Sequence, residues 1–395
     1  MTEKLYEQDA FLVKFEAKVI SCEKGKKGFD IVLDRTAFYP EGGGQPWDTG
    51  RLEADGNRVK VLEVHSREGE VVHICNHPLE EGTAVTGVID WDRRFDLMQQ
   101  HSGEHIVSGL AHYLWGCENV GFHLGAEVVT IDLDRPLTQE QFVTLEKTAN
   151  WHLWQINSPV EITYLSPEEL EHIQYRSKKA LTGRVRIVEF PGADCCACCG
   201  THVKSPAQVG LVKLLSMQKF REGVRIELVC GGRAFRYLSR ALEQNAQVSH
   251  LLSAKVFETG AAVECLLEEN TQLKSRLMSL EDARFAALAA QYTGVGDVVL
   301  FEDGLSPDGL RRLCGAVLHS CGGRCACFSG DDDSGYKYAA GQLDGDLRSF
   351  VKELNLALNG RGGGKPDFVQ GSVQASRQEI ETFFQRIFSE GVYLL

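Results

Sequence analysis

Two pairs of potential metal ligands, far apart in the chain, place the strongest constraint on how this sequence can fold. His101 and His105 stand four residues apart in a segment with helical periodicity, so both imidazoles project from one face of a helix. Cys198 and His202 are also four apart, in the sequence CCGTH, where Gly200 permits a tight turn. Three nitrogens and one thiolate suit a tetrahedral zinc site. The pattern therefore predicts a fold that brings both pairs to one zinc ion per chain.

Neighbouring cysteines leave the choice of thiolate open on spacing alone. The chain has 13 cysteines, and four of them crowd together at Cys195, Cys196, Cys198 and Cys199. A dense cluster in a cytosolic protein indicates metal binding or catalysis rather than a disulfide framework. Cys195 or Cys199 could replace Cys198, and Cys195 with Cys198 could form a redox pair or half of a second zinc site. Cys325 and Cys327, from a looser second group, are interpreted as same-face strand residues.

The first two thirds of the chain predict a small barrel followed by a mixed layer. Residues 1–90 alternate short β-type runs with turn clusters, which is typical of a small antiparallel β-barrel. A helix then ends near Gly116, and a second runs from Thr138 to Trp154 with a capping-box spacing at its start. With the strand runs that follow, residues 91–232 predict a two-layer α/β domain that holds the zinc.

The last part of the chain predicts a helical arm and a second α/β domain. The predicted fold class of the whole chain is therefore α+β. Residues 233–292 lack proline and are rich in Ala, Leu and Glu, and residues 293–395 contain strand runs and the loop LNGRGGGKPDFVQGS. Within 261–291 the spacing of a coiled-coil seam is formed by Val263, Leu266, Asn270, Leu273, Leu277 and Leu280. The seam predicts a homodimer through this helix, and a helix packed on its own domain is the alternative.

Net charge argues against a protein that binds nucleic acid simply by being basic, but the charge is unevenly distributed. The total is −13, whereas residues 171–240 carry 13 lysines and arginines against 5 acidic residues. The candidate phosphate contacts in that stretch are Lys178, Lys179, Arg184, Arg186, Lys219, Arg221 and Arg225. No apolar run approaches the about 20 residues of a membrane helix. The N-terminus lacks the features of a secretion signal, so a cytoplasmic protein without membrane association is expected.

Three ordered motifs resemble the editing domain of alanyl-tRNA synthetase and its free-standing relatives, the alanyl-tRNA editing (AlaX) proteins. They are FYPEGGGQP at 38–46, HSGEH at 101–105 and CCGTHV at 198–203. GRGGGKPDFVQGS resembles the C-terminal DHH-associated domain of the synthetase and of the long AlaX form. The family pattern assigns the ligands to His101, His105, Cys198 and His202. The sequence departs from that pattern at Cys199, where glycine is commoner.

The resemblance implies a trans-editing deacylase, which hydrolyses the ester of mischarged tRNA(Ala). The amino acid removed is chiefly serine, with glycine as a second candidate. Zinc would polarise a water or orient the substrate, and four protein ligands favour an orienting or structural role. Thr36 is implied to bind the serine hydroxyl, Gly43 and Gly44 to let backbone approach the substrate, and Gln45 to donate to it. Glu104 completes the catalytic candidates. A strand-end threonine and a plain hairpin turn are the structural alternatives.

Other features of the resemblance concern tRNA and nucleotides. Arg221 and Arg225 are expected to contact the tRNA substrate, and the relation to the synthetase implies nucleotide and ATP binding. The GRGGGKPD loop fails as a Walker A element because Pro366 stands where Ser or Thr must bind magnesium. A complete synthetase is not expected, since the sequence starts directly at the barrel-like segment.

Two rival functions also fit parts of the sequence. His101 to His105 spells H-x-x-E-H, the inverted zincin motif, in which Glu104 would be the general base of a peptidase. That interpretation leaves CCGTH and the GGGQ loop unexplained. The second rival is a non-catalytic zinc module that binds tRNA or a synthetase.

Overall fold

The fold comprises two units, each built from helices and sheets, which confirms the predicted α+β class. The computed structural model describes residues 2–54, 56–177, 183–387 and 393–394. The first unit is Met1–Ala246 and the second is Gln247–Leu395. The finer division of the chain into four parts stays a prediction.

Both units contain strands and helices. The strands are β1 (Glu3–Lys4), β2 (Lys14–Lys24), β3 (Phe29–Leu33), β4 (Arg35–Thr36), β5 (Gly50–Ala54), β6 (Asn57–Arg67), β7 (Glu70–Cys75), β8 (Ala84–Ile89), β9 (Asn119–Leu124), β10 (Val129–Leu133), β11 (Glu161–Leu165), β12 (Val185–Phe190), β13 (Asp194–Ala197), β14 (Val212–Phe220), β15 (Gly223–Cys230), β16 (Gly296–Phe301), β17 (Gly322–Asp331), β18 (Gly335–Gln342), β19 (Gly360–Gly364), β20 (Phe368–Val373) and β21 (Tyr393–Leu394). The helices are α1 (Leu5–Gln8), α2 (Trp91–Trp115), α3 (Gln139–Gln155), α4 (Pro167–Leu170), α5 (Gly231–Leu251), α6 (Thr259–Ala290), α7 (Pro307–Cys321), α8 (Arg348–Ala357) and α9 (Arg377–Ile387).

The predicted N-terminal barrel is confirmed. It closes in the order β2, β3, β7, β6, β5, β8, and all neighbouring strands are antiparallel. Side chains of β2 alternate between exposed and buried along its first half, as expected for a strand with one face on a core. Ile31, Leu33 and Leu52 are completely buried inside the barrel.

The predicted mixed layer is built around one central helix, α2. Asp90 caps its start and Gly116, in the left-handed conformation (φ 67°), ends it. Residues Leu97–Ala111 are almost all buried, because α2 packs against α3, against the antiparallel sheet β14-β15-β10-β9 and against β13 of the sheet β11-β12-β13. The second predicted helix, α3, starts with the expected capping box at Thr138.

A buried ion pair fixes the start of α2 against the barrel. Arg94 and Asp48 are both completely buried, with Arg94 Nε 2.9 Å from Asp48 Oδ1. The guanidinium also donates to the carbonyls of Ala10 (2.7 Å) and Ala37 (2.6 Å). Asp48 accepts a 2.6 Å hydrogen bond from the backbone N–H of Tyr39. One carboxylate thus binds both α2, through Arg94, and the start of the glycine-rich loop (residues 38–46), through Tyr39. That loop is therefore held beside α2.

The second unit contains one six-stranded sheet, in the order β19-β20-β18-β17-β16-β21. Strand β16 is parallel to β17 and β21, and the other neighbours are antiparallel. Helix α7 packs on β17 and β18. Cys325 and Cys327 lie buried on one face of β17 with their Sγ atoms 3.7 Å apart, which confirms the same-face interpretation.

Helix α6 exposes most of its apolar seam. The five apolar seam residues, from Val263 to Leu280, are 39 to 65% exposed, whereas Phe285 and Ala289 near the end of the helix are buried. The seam therefore lacks a covering partner among the described residues. None of the described helices combines the length and apolarity that crossing a membrane requires.

Candidate functional site

Four side chains from α2 and from the loop after β13 converge at one point. His101 and His105 lie one turn apart on α2, while Cys198 and His202 follow β13. Cys198 Sγ lies 3.5 Å from His101 Nε2 and 3.3 Å from His202 Nε2. The four potential ligand atoms all lie within 4.8 Å of one another. The fold thus unites the two pairs whose spacing stood out in the sequence. Cys196 belongs to a second candidate group, with His105 and Asp194, so the choice of Cys198 as the metal-binding thiolate stays a prediction.

Gln45, from the glycine-rich loop, holds the ring of His101. Its Oε1 lies 2.9 Å from His101 Nδ1 and accepts a second hydrogen bond from Thr201 N (3.1 Å). Its Nε2 donates to Thr201 Oγ1 (2.8 Å), and the side chain is buried. An amide oxygen only accepts, so His101 Nδ1 donates and the Nε2 lone pair faces the cluster. The Gln45 amide, which was predicted to contact substrate, therefore uses both its oxygen and its nitrogen in hydrogen bonds to His101 and Thr201.

The other two histidines are held in the same way. His105 Nδ1 lies 2.8 Å from Asp194 Oδ2, and Arg176 donates to both oxygens of that carboxylate (2.8 and 2.9 Å). Burial raises the pKa of Asp194, but hydrogen bonds from His105 and Arg176 hold it below its usual value. Ser102 Oγ lies 3.2 Å from His202 Nδ1. Supports of this kind fix the orientation of metal-binding imidazoles.

Gly200 is required where the CCGTH turn meets α2. A Cβ at this position would lie 2.2 Å from His101 Cε1 and 3.0 Å from Gln45 Oε1. No side chain fits there without displacing the imidazole. The glycine therefore lets the loop approach α2 closely enough for Cys198 to reach the cluster.

The cluster shifts its own protonation equilibria. Burial raises the pKa of Cys198, but the three surrounding imidazoles lower it well below the usual thiol value. Burial lowers the pKa of His105, but the Cys198 thiolate and Asp194 raise it well above its usual value. Burial lowers the pKa of His202 to about 3, so this imidazole is neutral at physiological pH. The Cys198 thiolate and the neutral His202 imidazole are the forms that bind metal, whereas His105 must release a proton to do so.

A cavity of about 660 Å³ opens on the cluster. Its wall is formed by Gly43, Gly44, His101, Glu104, His105, Glu118 to Phe122, Arg176, Ser177, Arg184 to Arg186 and Cys196 to Cys199. Gly44 has φ 82°, and a Cβ there would lie 2.6 Å from the Phe122 ring, which stacks on His101. Gly43 and Gly44 thus form part of the cavity wall with their backbone, and their contact with substrate stays a prediction.

Thr36 lies at the end of β4, which pairs with β1 rather than with a strand of the closed barrel, and it does not line this cavity. His73 Nδ1 donates to the Ile31 carbonyl (3.0 Å), so its Nε2 accepts from Thr36 Oγ1 (2.8 Å). Thr36 Oγ1 in turn accepts from Phe38 N (3.1 Å). The completely buried hydroxyl is therefore occupied by barrel groups, an arrangement that matches the strand-end alternative rather than an open contact for serine.

Glu104 lies in the cavity wall, outside the four-residue cluster. Its Oε1 accepts hydrogen bonds from Ser108 Oγ (2.8 Å) and from Asn119 Nδ2 (2.5 Å). The carboxylate is buried and held in place on one oxygen. It can face a bound molecule, but its partners come from α2 and β9 rather than from the metal-binding residues.

The predicted basic strip is divided in the structure. Arg184 and Arg186 line the cavity. Arg221 and Arg225 lie at the β14–β15 hairpin, outside the lining, and both guanidinium groups lie over the Phe220 ring. Arg225 also donates to both oxygens of Asp132 (2.6 and 2.8 Å). Lys178 and Lys179 lie outside the described residues.

Sequence reasoning missed several members of the site, among them Asp194, Phe122 and Arg176. Asp194 adjoins the cysteine cluster, so an acidic residue beside predicted ligands was the available signal. Phe122 and Arg176 carry no comparable signal, because only the fold brings them to α2 and β13.

Three known families match separate parts of the chain. The family described as tRNA synthetases class II (A) matches residues 4–93, and the threonyl and alanyl tRNA synthetase second additional domain matches residues 185–227. The DHHA1 domain matches residues 290–390.

Individual relatives match between 70 and 97% of the chain. The alanyl-tRNA editing protein Aarsd1 of Mus musculus is 31% identical over 294 residues, 70% of each chain. Aarsd1-B of Xenopus laevis is 29% identical over 97% of each chain, and AlaX-L of Pyrococcus horikoshii is 27% identical over 96% of each chain. With these similarities and the geometry above, the chain belongs to the alanyl-tRNA editing protein family.

Proposed function

We propose that this protein is a zinc-dependent aminoacyl-tRNA deacylase that removes serine, and glycine as a second candidate, from mischarged tRNA(Ala). The observation that carries the proposal is the convergence of three imidazole nitrogens and one thiol sulfur within 4.8 Å, at the wall of a cavity. The relatives are named alanyl-tRNA editing proteins, which supports the substrate class.

The donor set fits zinc. Histidine nitrogen and cysteine sulfur in a four-membered set are typical zinc ligands, and each imidazole has a second hydrogen-bond partner that orients it. His101, His105, Cys198 and His202 would hold the ion. Zinc bound here would act as a Lewis acid that polarises a water or an ester carbonyl, or would orient the substrate.

The chain's own groups position a substrate around this centre. Gly43 and Gly44 present backbone to the cavity, where an aminoacyl group can approach without meeting side chains. Glu104, fixed through Ser108 and Asn119, presents a carboxylate to the same cavity. We propose that it accepts a hydrogen bond from the substrate's ammonium or from the attacking water.

Deacylation assays with Ser-tRNA(Ala), Gly-tRNA(Ala) and correctly charged Ala-tRNA(Ala) test the proposal. Release of serine that stops with a chelator and returns with zinc is the expected result. Cys198→Ala is expected to lose zinc and at least about a hundredfold in activity, since a ligand is removed. Cys195→Ala is the matched control, because this neighbouring thiol lies outside the ligand set.

Other outcomes would favour the rivals. Protein that binds Ser-tRNA(Ala) but never releases serine would indicate a non-catalytic module. Glu104→Gln should reduce but not abolish deacylation, whereas peptide hydrolysis abolished by this change would establish an inverted zincin.

We also propose homodimerisation through α6 and action in the cytoplasm. The apolar seam of α6 is exposed over five positions and is interrupted by Asn270, a residue that fixes register in coiled coils. Pairing of two seams would remove that apolar surface from water. ATP binding stays a prediction from the relation to the synthetase.

A further inference from the structure

The guanidinium of Arg186 is buried in the cavity wall without a carboxylate partner. Arg186 lies on β12, is 9% exposed, and lines the cavity beside Cys198. Its Nη1 donates to the Cys198 carbonyl at 2.6 Å. Its Nε has no hydrogen-bond partner among the described residues. A buried charged group with an unused donor is costly for folding, which indicates a group reserved for a ligand.

Other largely buried arginines of this unit are satisfied differently. Arg94 pairs with Asp48, Arg176 with Asp194 and Arg233 with Asp96. Within the described part of the chain, no carboxylate forms an ion pair with Arg186. Aspartate thus neutralises these other buried guanidinium groups, whereas Arg186 has no carboxylate counter-ion among the described residues.

A second arginine extends the positive wall outward. Arg184 also lines the cavity but is exposed, and its Nη2 donates to the Tyr164 carbonyl (3.1 Å). Arg184 directly precedes β12 and Arg186 is the second residue of that strand, and both side chains contribute to the cavity wall. The two guanidinium groups therefore mark a path from solvent to the cluster that suits a chain carrying repeated negative charges.

We propose that Arg186 binds the phosphodiester of the terminal nucleotide of an aminoacyl-tRNA, an inference that rests on the proposed function. In an aminoacyl ester the carboxylate is esterified and the α-amino group is a cation. The phosphodiester is therefore the anion closest to the reacting ester. A guanidinium matches phosphate geometry and forms charge-assisted hydrogen bonds that are stronger than neutral ones. Arg186 is accordingly a binding residue, and the ester reacts beside it.

The test compares two substrates, seryl-tRNA(Ala) and 3′-seryl-adenosine, of which only the first carries the phosphodiester. For Arg186→Gln, the ratio of kcat/KM for seryl-tRNA to that for seryl-adenosine is expected to fall about ten- to hundredfold, mainly through KM. The slope of log affinity against log salt should become shallower by about 0.7. Arg186→Lys should recover part of the loss. Arg240→Gln, an exposed arginine of α5, removes the same charge and is the matched control.

Several results would overturn the proposal. A ratio that stays constant means that Arg186 does not bind phosphate. Loss of bound zinc in both Arg186 variants means that the residue only supports the Cys198 loop. If the wild type hydrolyses neither substrate, the proposed function fails. In that case, binding of an uncharged oligonucleotide ending in CCA still decides the role of Arg186, since Arg186→Gln should weaken it at least about tenfold.

Discussion

The Gln45 amide allows a direct test of whether this residue serves the metal centre or the substrate. Gln45 is buried, and its oxygen accepts from both His101 Nδ1 (2.9 Å) and Thr201 N (3.1 Å). Gln45→Ala removes the group that orients the imidazole. Loss of such a support typically weakens metal binding 10- to 100-fold, which corresponds to about 1.4 to 2.7 kcal/mol.

The assay is competition for zinc with a chromophoric chelator, run alongside deacylation at saturating zinc. Gln45→Ala should release zinc at a correspondingly lower chelator concentration, and added zinc should restore much of the activity. Asp194→Asn and Ser102→Ala, which alter the supports of His105 and His202, provide matched comparisons. Unchanged zinc affinity combined with a large fall in kcat would refute this reasoning and would establish Gln45 as a substrate contact.

Two further predictions concern the barrel and the helical arm. Burial lowers the pKa of His73 to about 4, against about 6.5 in an unfolded chain, so the folded form resists protonation. This contribution to the free energy of unfolding should be complete above pH 6.5, and about 3 kcal/mol of it should be lost as the pH falls from 6.5 to 4. In urea titrations over this pH range, the free energy of unfolding should decline less steeply for His73→Gln than for the wild type. Parallel declines would contradict the assignment. In the arm, Leu273→Glu with Leu277→Glu should convert a dimer to a monomer in sedimentation equilibrium, because it places charge in the apolar seam. Gln272→Glu adds charge outside the seam and should leave the mass unchanged, and a monomeric wild type would refute the dimer.

The sequence predicted those features that depend on local spacing. The i, i+4 pairs predicted where α2 and the CCGTH turn must meet, and alternating apolar runs predicted the barrel. The roles of Gln45 and Thr36 depended on tertiary contacts. The glycine-rich loop turns Gln45 towards His101, whereas His73, far along the chain, occupies the Thr36 hydroxyl. No periodicity encodes such contacts, because they arise only when separate strands and helices pack together.

The role of Arg186 was also not predictable from the sequence alone. Its charge placed it in a basic strip together with Arg225. In the fold, Arg225 pairs with Asp132 at a hairpin, whereas Arg186 lines the cavity with no hydrogen-bond partner for its Nε among the described residues. The charges in the sequence therefore located a basic region of the chain. Burial and hydrogen-bond partners in the structure then distinguished the individual arginines within it.

The glycine-rich loop makes barrel folding and metal binding thermodynamically linked. The loop is held to α2 through Asp48 and Arg94, and Gln45 then reaches from it to His101. If zinc binds only when that loop is in place, each equilibrium must favour the other by the same free energy. Excess zinc would then raise the unfolding temperature of the barrel, although no barrel strand supplies a ligand. Conversely, a destabilising substitution in the barrel interior would first be detected as weaker zinc retention.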